Sequence, residues 1–176
     1  MSGAPRPDAS LPGWALALPV RDVLDDVVAA SRGGAAVVVA PPGSGKTLLV
    51  PSALLDDLGG GRVLLVQPRR LAARAVAAQI ARLRGGPLGA EVGYQVRFDS
   101  RTSSATRLFV ETTGIVLRRL LDDISLPGFG AVVLDEFHER SVEMDLVFGL
   151  LRTVRESLRP DLRVVVTSAT LAAGPV

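Results

Sequence analysis

A turn in the first third of the chain has the composition of a phosphate-binding loop. Residues 41–47 read Pro-Pro-Gly-Ser-Gly-Lys-Thr and follow an apolar run, Ala35–Ala40, that is typical of a strand buried on both faces of a parallel sheet. Glycines let backbone N–H groups turn toward phosphate oxygens, and a helix beginning at Lys46 adds the positive end of its dipole. Lys46 would reach the β- and γ-phosphates of a nucleotide, and the Thr47 hydroxyl would ligate Mg²⁺. We therefore predict a nucleotide site formed by Gly43, Ser44, Gly45, Lys46 and Thr47.

The alternative explanation is a glycine-rich turn that carries a lysine by chance. The composition argues against it, because the chain has 20 basic residues and Lys46 is the only lysine among them. The turn departs from the pattern G-x-x-x-x-G-K-S/T at one position, where Ala40 replaces the first glycine. A small residue at that position still allows the turn.

Two adjacent carboxylates, Asp135 and Glu136, follow a second apolar run, Ala131–Leu134. Charge at the end of a buried strand is unfavourable unless a cation binds it. We predict that Asp135 holds Mg²⁺, directly or through water, and that Glu136 acts as general base or orients the attacking water. A charged helix start is the alternative, because carboxylates favour helix N-termini. The phosphate-binding loop earlier in the chain favours the magnesium site.

Arg69 and Arg70 lie between a predicted strand and a predicted helix. Guanidinium groups and free backbone N–H groups at that position suit the phosphates of a nucleic acid. A solvated helix cap is the alternative. Four other arginines have no such position, and we expect ordinary solvated faces for Arg82, Arg84, Arg118 and Arg119.

Apolar runs of strand length alternate along the chain with longer amphipathic segments. The predicted strands are 35–40, 63–66, 92–98, 107–111, 131–134 and 164–167. The predicted helices are 21–31, 46–58, 71–83, 114–121 and 142–157. This alternation favours βαβ units. We predict an α/β fold, an open and mainly parallel sheet with helices on both faces, whose ligands bind beyond the carboxyl ends of the strands.

The composition restricts the class of protein. A chain of 176 residues suits one domain, and 48% hydrophobic with 22% charged residues excludes disorder for most of it. No apolar run is long enough for a membrane-spanning helix, and no secretory signal is visible. The chain has no cysteine, which excludes disulfides and thiol catalysis and fits a cytoplasmic protein. A net charge of only +2 predicts weak, salt-sensitive binding of nucleic acid.

Five segments together resemble a known family. They are APPGSGKT (40–47), QPRRLAAR (67–74), ETTG (111–114), DEFHER (135–140) and SAT (168–170). Their order and spacing resemble those of the DEAH-box helicases of superfamily 2, and DEFHER with PRRLAAR is similar to the bacterial HrpB-type branch. The resemblance implies the first RecA-like domain, a P-loop NTPase fold, of an ATP-dependent helicase. Its partner would be single-stranded RNA, with DNA left open. We therefore divide the chain into a flexible N-terminal lead, 1–18, and a RecA-like domain, 19–176.

The resemblance also implies roles for single residues. Glu136, Asp135, His138 and Lys46 would be the catalytic residues, and a lone histidine lacks the partners of a zinc site. Residues that couple hydrolysis to strand movement would be His138, Ser168 and Thr170. Residues that contact RNA would be Arg69, Arg70, Arg97, Thr113 and Gly114.

Two positions depart from the family pattern. Thr113 stands where the family usually has a glutamate or aspartate, which affects a local hydrogen bond and leaves the RNA contact in place. Many members stack adenine on an arginine in the helix after PRRLAAR, whereas Gln79 occupies that place here, with Arg82 one turn further on. We expect base stacking to be weaker or shifted, as suits a nucleotide-tolerant site.

A second RecA-like domain is not part of residues 1–176. In the family that domain supplies arginine fingers, which are typically worth about 10³–10⁵ in rate. We expect this fragment to bind ATP with Mg²⁺, to hydrolyse it barely, and to unwind nothing. A small-molecule kinase would need a lid and an acceptor pocket, and has no use for DEFHER or SAT. A regulatory module with a relic phosphate loop is a further alternative, against which the intact site residues argue.

Overall fold

The computed structural model describes residues 13–169, apart from the side chains of Trp14 and Leu16. The helices are α1 (Gly13–Leu16), α2 (Leu24–Arg32), α3 (Lys46–Asp57), α4 (Arg70–Leu83), α5 (Thr113–Asp122) and α6 (Val142–Ser157). Two 3₁₀ turns lie at Pro19–Val23 and Phe137–Glu139. The strands are β1 (Ala35–Val39), β2 (Arg62–Gln67), β3 (Val92–Val96), β4 (Asp99–Arg101), β5 (Leu108–Thr112), β6 (Phe129–Leu134) and β7 (Arg163–Ser168).

Some of the sequence predictions concern residues that the structure does not describe. Thr170, the third proposed coupling residue, lies outside the described residues, as do residues 1–12 of the predicted lead. Within that lead, Gly13–Leu16 form one helical turn and Ala15 is fully buried. The boundary between a lead, 1–18, and a domain, 19–176, stays a prediction.

The described residues form one seven-stranded sheet in the order β1-β7-β6-β2-β5-β3-β4. Each pair of neighbours is parallel except β3 with β4. β6 and β7 are neighbours both in the chain and in the sheet, and helix α6 makes the crossover that a parallel pair needs. The predicted open, mainly parallel α/β sheet is confirmed.

Strand β4 was not predicted, and it shortens the strand that precedes it. β3 ends at Val96, and the next two residues turn the chain back so that Val96 pairs with Asp99 in an antiparallel hairpin. Phe98 has a φ angle of 65° in this turn, a conformation that a bulky residue rarely adopts. The predicted strand 92–98 was therefore two residues too long, because the chain reverses at Arg97 and Phe98.

Strand β1 corrects the prediction that Ala35–Ala40 is buried on both faces. It is an edge strand with β7 as its only neighbour in the sheet of described residues. Val37 is 64% exposed and Val39 41% exposed, whereas Val38 is buried. An apolar run reports a tendency to form a strand, but whether both faces are covered depends on the position of the strand in the sheet.

Helices cover the two faces of the sheet and form a separate core on each. One core joins buried side chains of α2, α3 and α4 to the sheet, and the other joins those of α5 and α6. The inner face of α6 shows the pattern, with buried residues at helical spacing: Met144, Val147, Leu151 and Val154. Ser141 caps that helix by accepting a hydrogen bond from the Met144 amide at 3.1 Å. No helix among residues 13–169 combines the length and apolar character that crossing a bilayer requires.

The parallel strands bring six unusual segments to one edge. Their carboxyl ends lead into the turn 40–45, Arg69, Arg97, Thr113, Asp135 and Ala169. Strands β1, β7 and β6 carry the predicted nucleotide residues, and β2, β5 and β3 carry the predicted RNA residues. We name the two parts of this edge, after these predictions, the nucleotide half and the RNA half.

Candidate nucleotide and nucleic-acid site

The turn between β1 and α3 depends on its glycines. Gly43 and Gly45 have φ angles of 79° and 91°, which L side chains rarely adopt. A Cβ atom at Gly45 would also lie 2.7 Å from Cδ1 of Leu18, so only glycine fits there. Helix α3 begins at the next residue, Lys46. The first N–H groups of a helix have no acceptor within it and point toward its N-terminus, where an anion can accept them.

Two polar side chains of this turn are buried. Lys46 is 3% exposed, and its Nζ donates only a long hydrogen bond, 3.4 Å, to the Pro41 carbonyl oxygen. Ser44 is also 3% exposed, and its Oγ has no hydrogen-bond partner among the described residues. Polar groups that stay buried without partners are rare in folded proteins. An anionic ligand with several oxygen acceptors fits both groups.

Asp135 lies at the centre of the nucleotide half and is fully buried. Its Oδ2 accepts hydrogen bonds from Thr47 Oγ1 at 2.7 Å and from Gln67 Nε2 at 2.5 Å. Its Oδ1 accepts a hydrogen bond from Thr167 Oγ1. The acidic residue therefore touches the end of the glycine turn directly, and four elements, α3, β2, β6 and β7, meet at one carboxylate.

The residues present fit a magnesium ion that a nucleotide would bring with it. Thr47 and Asp135 offer hard oxygen ligands at adjacent positions, as Mg²⁺ requires. Among the described residues no group of three or more His, Cys, Asp or Glu could hold a metal ion. Mg²⁺ is commonly bound by one or two side chains plus substrate phosphates, not by a cage of protein ligands.

Glu136 and His138 are held together beside Asp135. Glu136 has a left-handed backbone, with φ 53° and ψ 36°, and precedes the 3₁₀ turn that contains His138. His138 Nε2 lies 3.3 Å from Glu136 Oε2, and His138 Nδ1 accepts a hydrogen bond from the Ala169 amide at 3.3 Å. Because Nδ1 accepts, the neutral ring carries its proton on Nε2, where it faces the carboxylate. His138 thus connects Glu136 to the segment after β7.

The predicted RNA arginines are exposed and already have protein partners. Arg69 forms a bidentate ion pair with Glu139, at 2.8 and 3.2 Å. Arg70 Nη2 donates to the carbonyl oxygen of Arg97 at 2.8 Å. The Arg97 guanidinium lies 4.7 Å from the ring centre of Phe98. Arg70 and Arg97 are therefore in contact across the carboxyl ends of β2 and β3, and Arg69 precedes Arg70 in the chain.

The other two predicted RNA residues begin helix α5. Thr113 is buried, and its Oγ1 donates a hydrogen bond to Glu143 Oε2 at 2.8 Å. At the position where the family usually carries an acid, this chain thus has a hydroxyl that binds an acid from α6. Gly114 is exposed, and a Cβ atom there would meet nothing within 4 Å. The backbone of α5 is therefore accessible at its first turn.

The expectation of solvated faces is wrong for two of the four arginines. Arg84 bonds Asp56 and Glu91, and its side chain is only 16% exposed. Arg119 bonds Glu111, which is fully buried in β5. Burial raises the pKa of the Glu111 carboxyl above its usual value of 4.5, and the pairing with Arg119 opposes that shift. Arg82 and Arg118 are exposed, as is Gln79 at the expected adenine-stacking position.

Four partners of the site residues were not predicted from the sequence. They are Gln67, Glu139, Glu143 and Thr167. Gln67 ends an apolar strand as a polar residue, and Thr167 with Ser168 does the same in β7, which is the signal that the sequence offered for them. Glu139 stands in the segment DEFHER but its partner Arg69 does not follow from that segment, and Glu143 carries no local signal.

Comparison with known proteins matches this arrangement to a family. The family model described as DEAD/DEAH box helicase matches residues 21–175. The chain belongs to the DEAD/DEAH box helicase family. The resemblance seen in the five sequence segments is thereby confirmed.

Individual members of the helicase family support this membership. The probable ATP-dependent RNA helicase DHR2 of Saccharomyces cerevisiae is 42% identical over 132 residues, which cover 73% of this chain and 18% of the relative. The ATP-dependent RNA helicase HrpB of Escherichia coli is 44% identical over 127 residues, which cover 72% of this chain and 16% of that protein. These curated relatives are therefore several times longer than this chain.

A solved structure of the same relative supports the fold of the helicase domain. The crystal structure of Escherichia coli DEAH/RHA helicase HrpB superposes with a TM-score of 0.84 at 42% identity, and covers 88% of this chain and 20% of the other. The prediction of the first RecA-like region of a helicase related to HrpB is confirmed.

Proposed function

We propose that the chain is the ATP-binding and RNA-binding part of an ATP-dependent RNA helicase. The hydrogen bond between Thr47 and Asp135, 2.7 Å long, carries the proposal. It brings the glycine turn and the acidic pair to one point, where a triphosphate and its ion would have to lie. The names of the helicase relatives support ATP as the nucleotide and RNA as the strand, with DNA as the competing substrate.

Each residue of the nucleotide half has a role in this proposal. Amides of Gly43 and Gly45, the Ser44 hydroxyl and Lys46 bind the phosphates. Thr47 and Asp135 hold Mg²⁺, which, when bound, neutralises the charge that develops on the phosphates. Glu136 acts as the base or orients the attacking water. His138 holds the Glu136 carboxylate and joins it to the segment that begins at Ser168, so that both take part in coupling.

The RNA half would bind a single strand by its backbone. Arg69 and Arg70 offer guanidinium groups at the start of α4, and Gly114 leaves the first turn of α5 open. Arg97 lies beside them through its contact with Arg70. Phosphate contacts of this kind give affinity without sequence preference and make binding depend on salt. Thr113 would act mainly by fixing α5, because its hydroxyl is already bonded to Glu143.

Residues 1–176 on their own should bind nucleotide with little turnover. Among the described residues no arginine forms a hydrogen bond or ion pair with Thr47, Asp135 or Glu136. In the family such an arginine comes from a second RecA-like domain and raises the rate by about 10³–10⁵. Steady-state ATPase assays with and without RNA test this. Brisk RNA-stimulated turnover by residues 1–176 would contradict it.

The proposed function also includes a cytoplasmic location, since a chain without cysteine needs no oxidising compartment.

The decisive experiment for the nucleotide site is a titration with ATP and Mg²⁺ by calorimetry. Lys46→Ala should lower the affinity about 100-fold, because it removes hydrogen bonds to charged phosphate oxygens. The matched control is Arg152→Ala, which removes an exposed cation on α6 and should change nothing. If Lys46→Ala binds like the control, the turn is not a phosphate site and the regulatory-module reading is favoured. Transfer of phosphate to a small acceptor would favour a kinase.

A further inference from the structure

Gln67 connects the magnesium carboxylate to the RNA half. We propose that Gln67 is a positioning residue that fixes Asp135 and couples occupancy of the nucleotide site to the arginines at the start of α4. The inference rests on the proposed function and gives a role to Gln67, the first residue of the segment QPRRLAAR, to which the resemblance assigns none. Three observations carry it: the contact with Asp135, the burial of the glutamine, and its place in the chain.

The contact orients the Asp135 carboxylate. Gln67 is 2% exposed, and its Nε2 lies 2.5 Å from Asp135 Oδ2, the same oxygen that accepts from Thr47. A carboxylate oxygen can only accept here, so the amide nitrogen and not the amide oxygen must face it. An amide donor in a buried environment makes a strong, directed hydrogen bond to a charged acceptor. Gln67 therefore fixes one oxygen of Asp135, and Thr167 fixes the other.

Gln67 also ends strand β2, two residues before Arg69. It pairs in register with Thr112, the residue before the RNA-contact segment Thr113–Gly114. On the other side of β2, the Asp135 amide donates to the Val66 carbonyl oxygen at 3.0 Å. A movement of Asp135 toward a bound ion is thus transmitted to the end of β2 through a side chain and a backbone bond. The segment that follows β2 and the segment that follows its neighbour β5 both belong to the RNA half.

A second contact connects the two halves. Arg69 bonds Glu139, which lies four residues after Asp135 in the same segment. The stretch 67–69 and the stretch 135–139 are therefore joined at both ends, once by a buried contact and once by an exposed one. A change at Asp135 then alters the position of Arg69 relative to any phosphate that it binds. Such coupling is reciprocal, so RNA should also change the affinity for nucleotide.

Gln67→Met tests the inference because methionine keeps the length of the side chain and loses the donor. The matched control is Gln95→Met, since Gln95 lies near the carboxyl end of β3, away from Asp135. Binding of fluorescent ADP is measured with and without Mg²⁺. Gln67→Met should reduce the gain in affinity that Mg²⁺ gives by about 10-fold, the lower end of the effect of losing one hydrogen bond to a charged group. It should leave the affinity without Mg²⁺ within about two-fold.

RNA binding provides the second measurement, with a labelled single-stranded oligouridylate as the probe. In the wild-type chain Mg²⁺ and ADP should change the RNA affinity, and in Gln67→Met that change should disappear. RNA affinity without nucleotide should stay within about two-fold of wild type, because Arg69 and Arg70 remain. If Gln67→Met keeps both the full Mg²⁺ effect and the full change in RNA affinity, the inference is wrong and the proposed function stands. If wild type itself fails to bind Mg²⁺ and ADP, the proposed function is wrong.

A measurement on the wild-type chain covers the case in which Gln67→Met does not fold. The side-chain amide of Gln67 gives its own pair of resonances in a nitrogen-15 spectrum. Adding Mg²⁺ to the ADP-bound chain should shift this pair, whereas the Gln95 pair should stay in place. An unmoved Gln67 pair in a chain that binds the ion would overturn the inference.

Discussion

The nucleotide half and the RNA half lie on one edge of the same sheet, yet Lys46 and Asp135 are buried whereas the arginines of the RNA half are exposed. In the nucleotide half Lys46 is 3% exposed and Asp135 is fully buried. In the RNA half the Arg69 side chain is 71% exposed and its partner Glu139 is 31% exposed. Buried polar groups must find their partners when the chain folds, whereas exposed ion pairs contribute little and break readily.

This difference suggests a division of tasks. The nucleotide half is arranged before its ligand arrives, because Asp135 accepts three hydrogen bonds from elements that the core holds in place. The RNA half has its arginines engaged with carboxylate and carbonyl oxygens, which a phosphate oxygen can replace. Preorganisation favours a fixed ligand geometry, and exchangeable pairs suit a strand that must be released and bound again.

The strongest test of this contrast is Asp135→Asn. The variant keeps the size of the side chain but turns one acceptor into a donor, which then faces donors from its own neighbours. Loss of the charged ligand should reduce the Mg²⁺-dependent part of the ATP affinity about 100-fold. The affinity for RNA without nucleotide should stay within about two-fold. Calorimetry with and without Mg²⁺ measures the first, and fluorescence anisotropy the second.

Asp161→Asn is the matched control for this test, because Asp161 is an exposed carboxylate paired with Arg159. It should behave as wild type in both titrations. If Asp135→Asn kept the full effect of Mg²⁺, the buried carboxylate would be a structural group and the nucleotide half would lose its defining residue.

Arg69→Ala is the corresponding change in the RNA half. RNA affinity at low salt should fall about 3- to 10-fold, and the slope of log affinity against log salt should decrease by about 1, because one phosphate contact is lost. ATP affinity without RNA should not change, since Arg69 contacts Glu139 and none of the residues Lys46, Thr47 and Asp135. Arg152→Ala removes an equally exposed arginine far from this edge and serves as control. An unchanged salt slope would remove Arg69 from the RNA contacts.

What the sequence predicted and what it missed follow the same division. The glycine turn and the acidic pair were predicted because their residues stand next to each other in the chain and their chemistry depends on local backbone. Partners such as Gln67 and Glu139 were missed, because each reaches its site residue from a separate segment. Local patterns carry no information on which strand ends become neighbours in the sheet.

The predicted burial of strand β1 and of two arginines was also wrong, because it depends on neighbours that the local sequence does not show. Most strands and helices were predicted from apolar periodicity, and Val142–Ser157 agrees at both ends. The apolar run Ala35–Ala40 predicts a strand buried on both faces, although β1 lies at the edge of the sheet and two of its valines are exposed. A charge on an amphipathic helix is usually solvated, which predicts solvated faces for Arg84 and Arg119, and their carboxylate partners are visible only in the folded chain.

Glu139→Gln tests the same contrast by changing the partner of Arg69 and leaving Arg69 in place. The variant removes the negative charge that holds Arg69, so the arginine becomes available to a phosphate. RNA affinity should rise about 2- to 5-fold at low salt, and the gain should shrink as salt screens the exposed charges. In an Arg69→Ala background the same change should have no effect, which a double-mutant cycle measures. A similar gain in that background would mean that Glu139 repels RNA directly.

The smallest expected effect concerns Glu111, the one fully buried carboxylate of the RNA half, in β5. Burial raises its pKa in the folded chain above the usual 4.5, so the native state binds this proton more tightly than the unfolded chain does. Its contribution to stability is fully present below pH 4.5 and is lost as the pH rises through the raised pKa. Glu111→Gln removes that dependence, so the variant should gain stability relative to wild type as the pH rises from 4.5 toward 7.

Urea unfolding across this pH range measures the difference between the two chains. The control is Glu156→Gln, whose carboxylate is 59% exposed and pairs with Arg152 one helical turn earlier, so that its difference from wild type should not follow the same trend. A constant difference for Glu111→Gln would mean that Arg119 compensates the burial of Glu111 completely. The buried carboxylate of Glu111 would then be as well stabilised by its partner as that of Asp135. The two halves would differ only in the exposed fraction of their charged side chains.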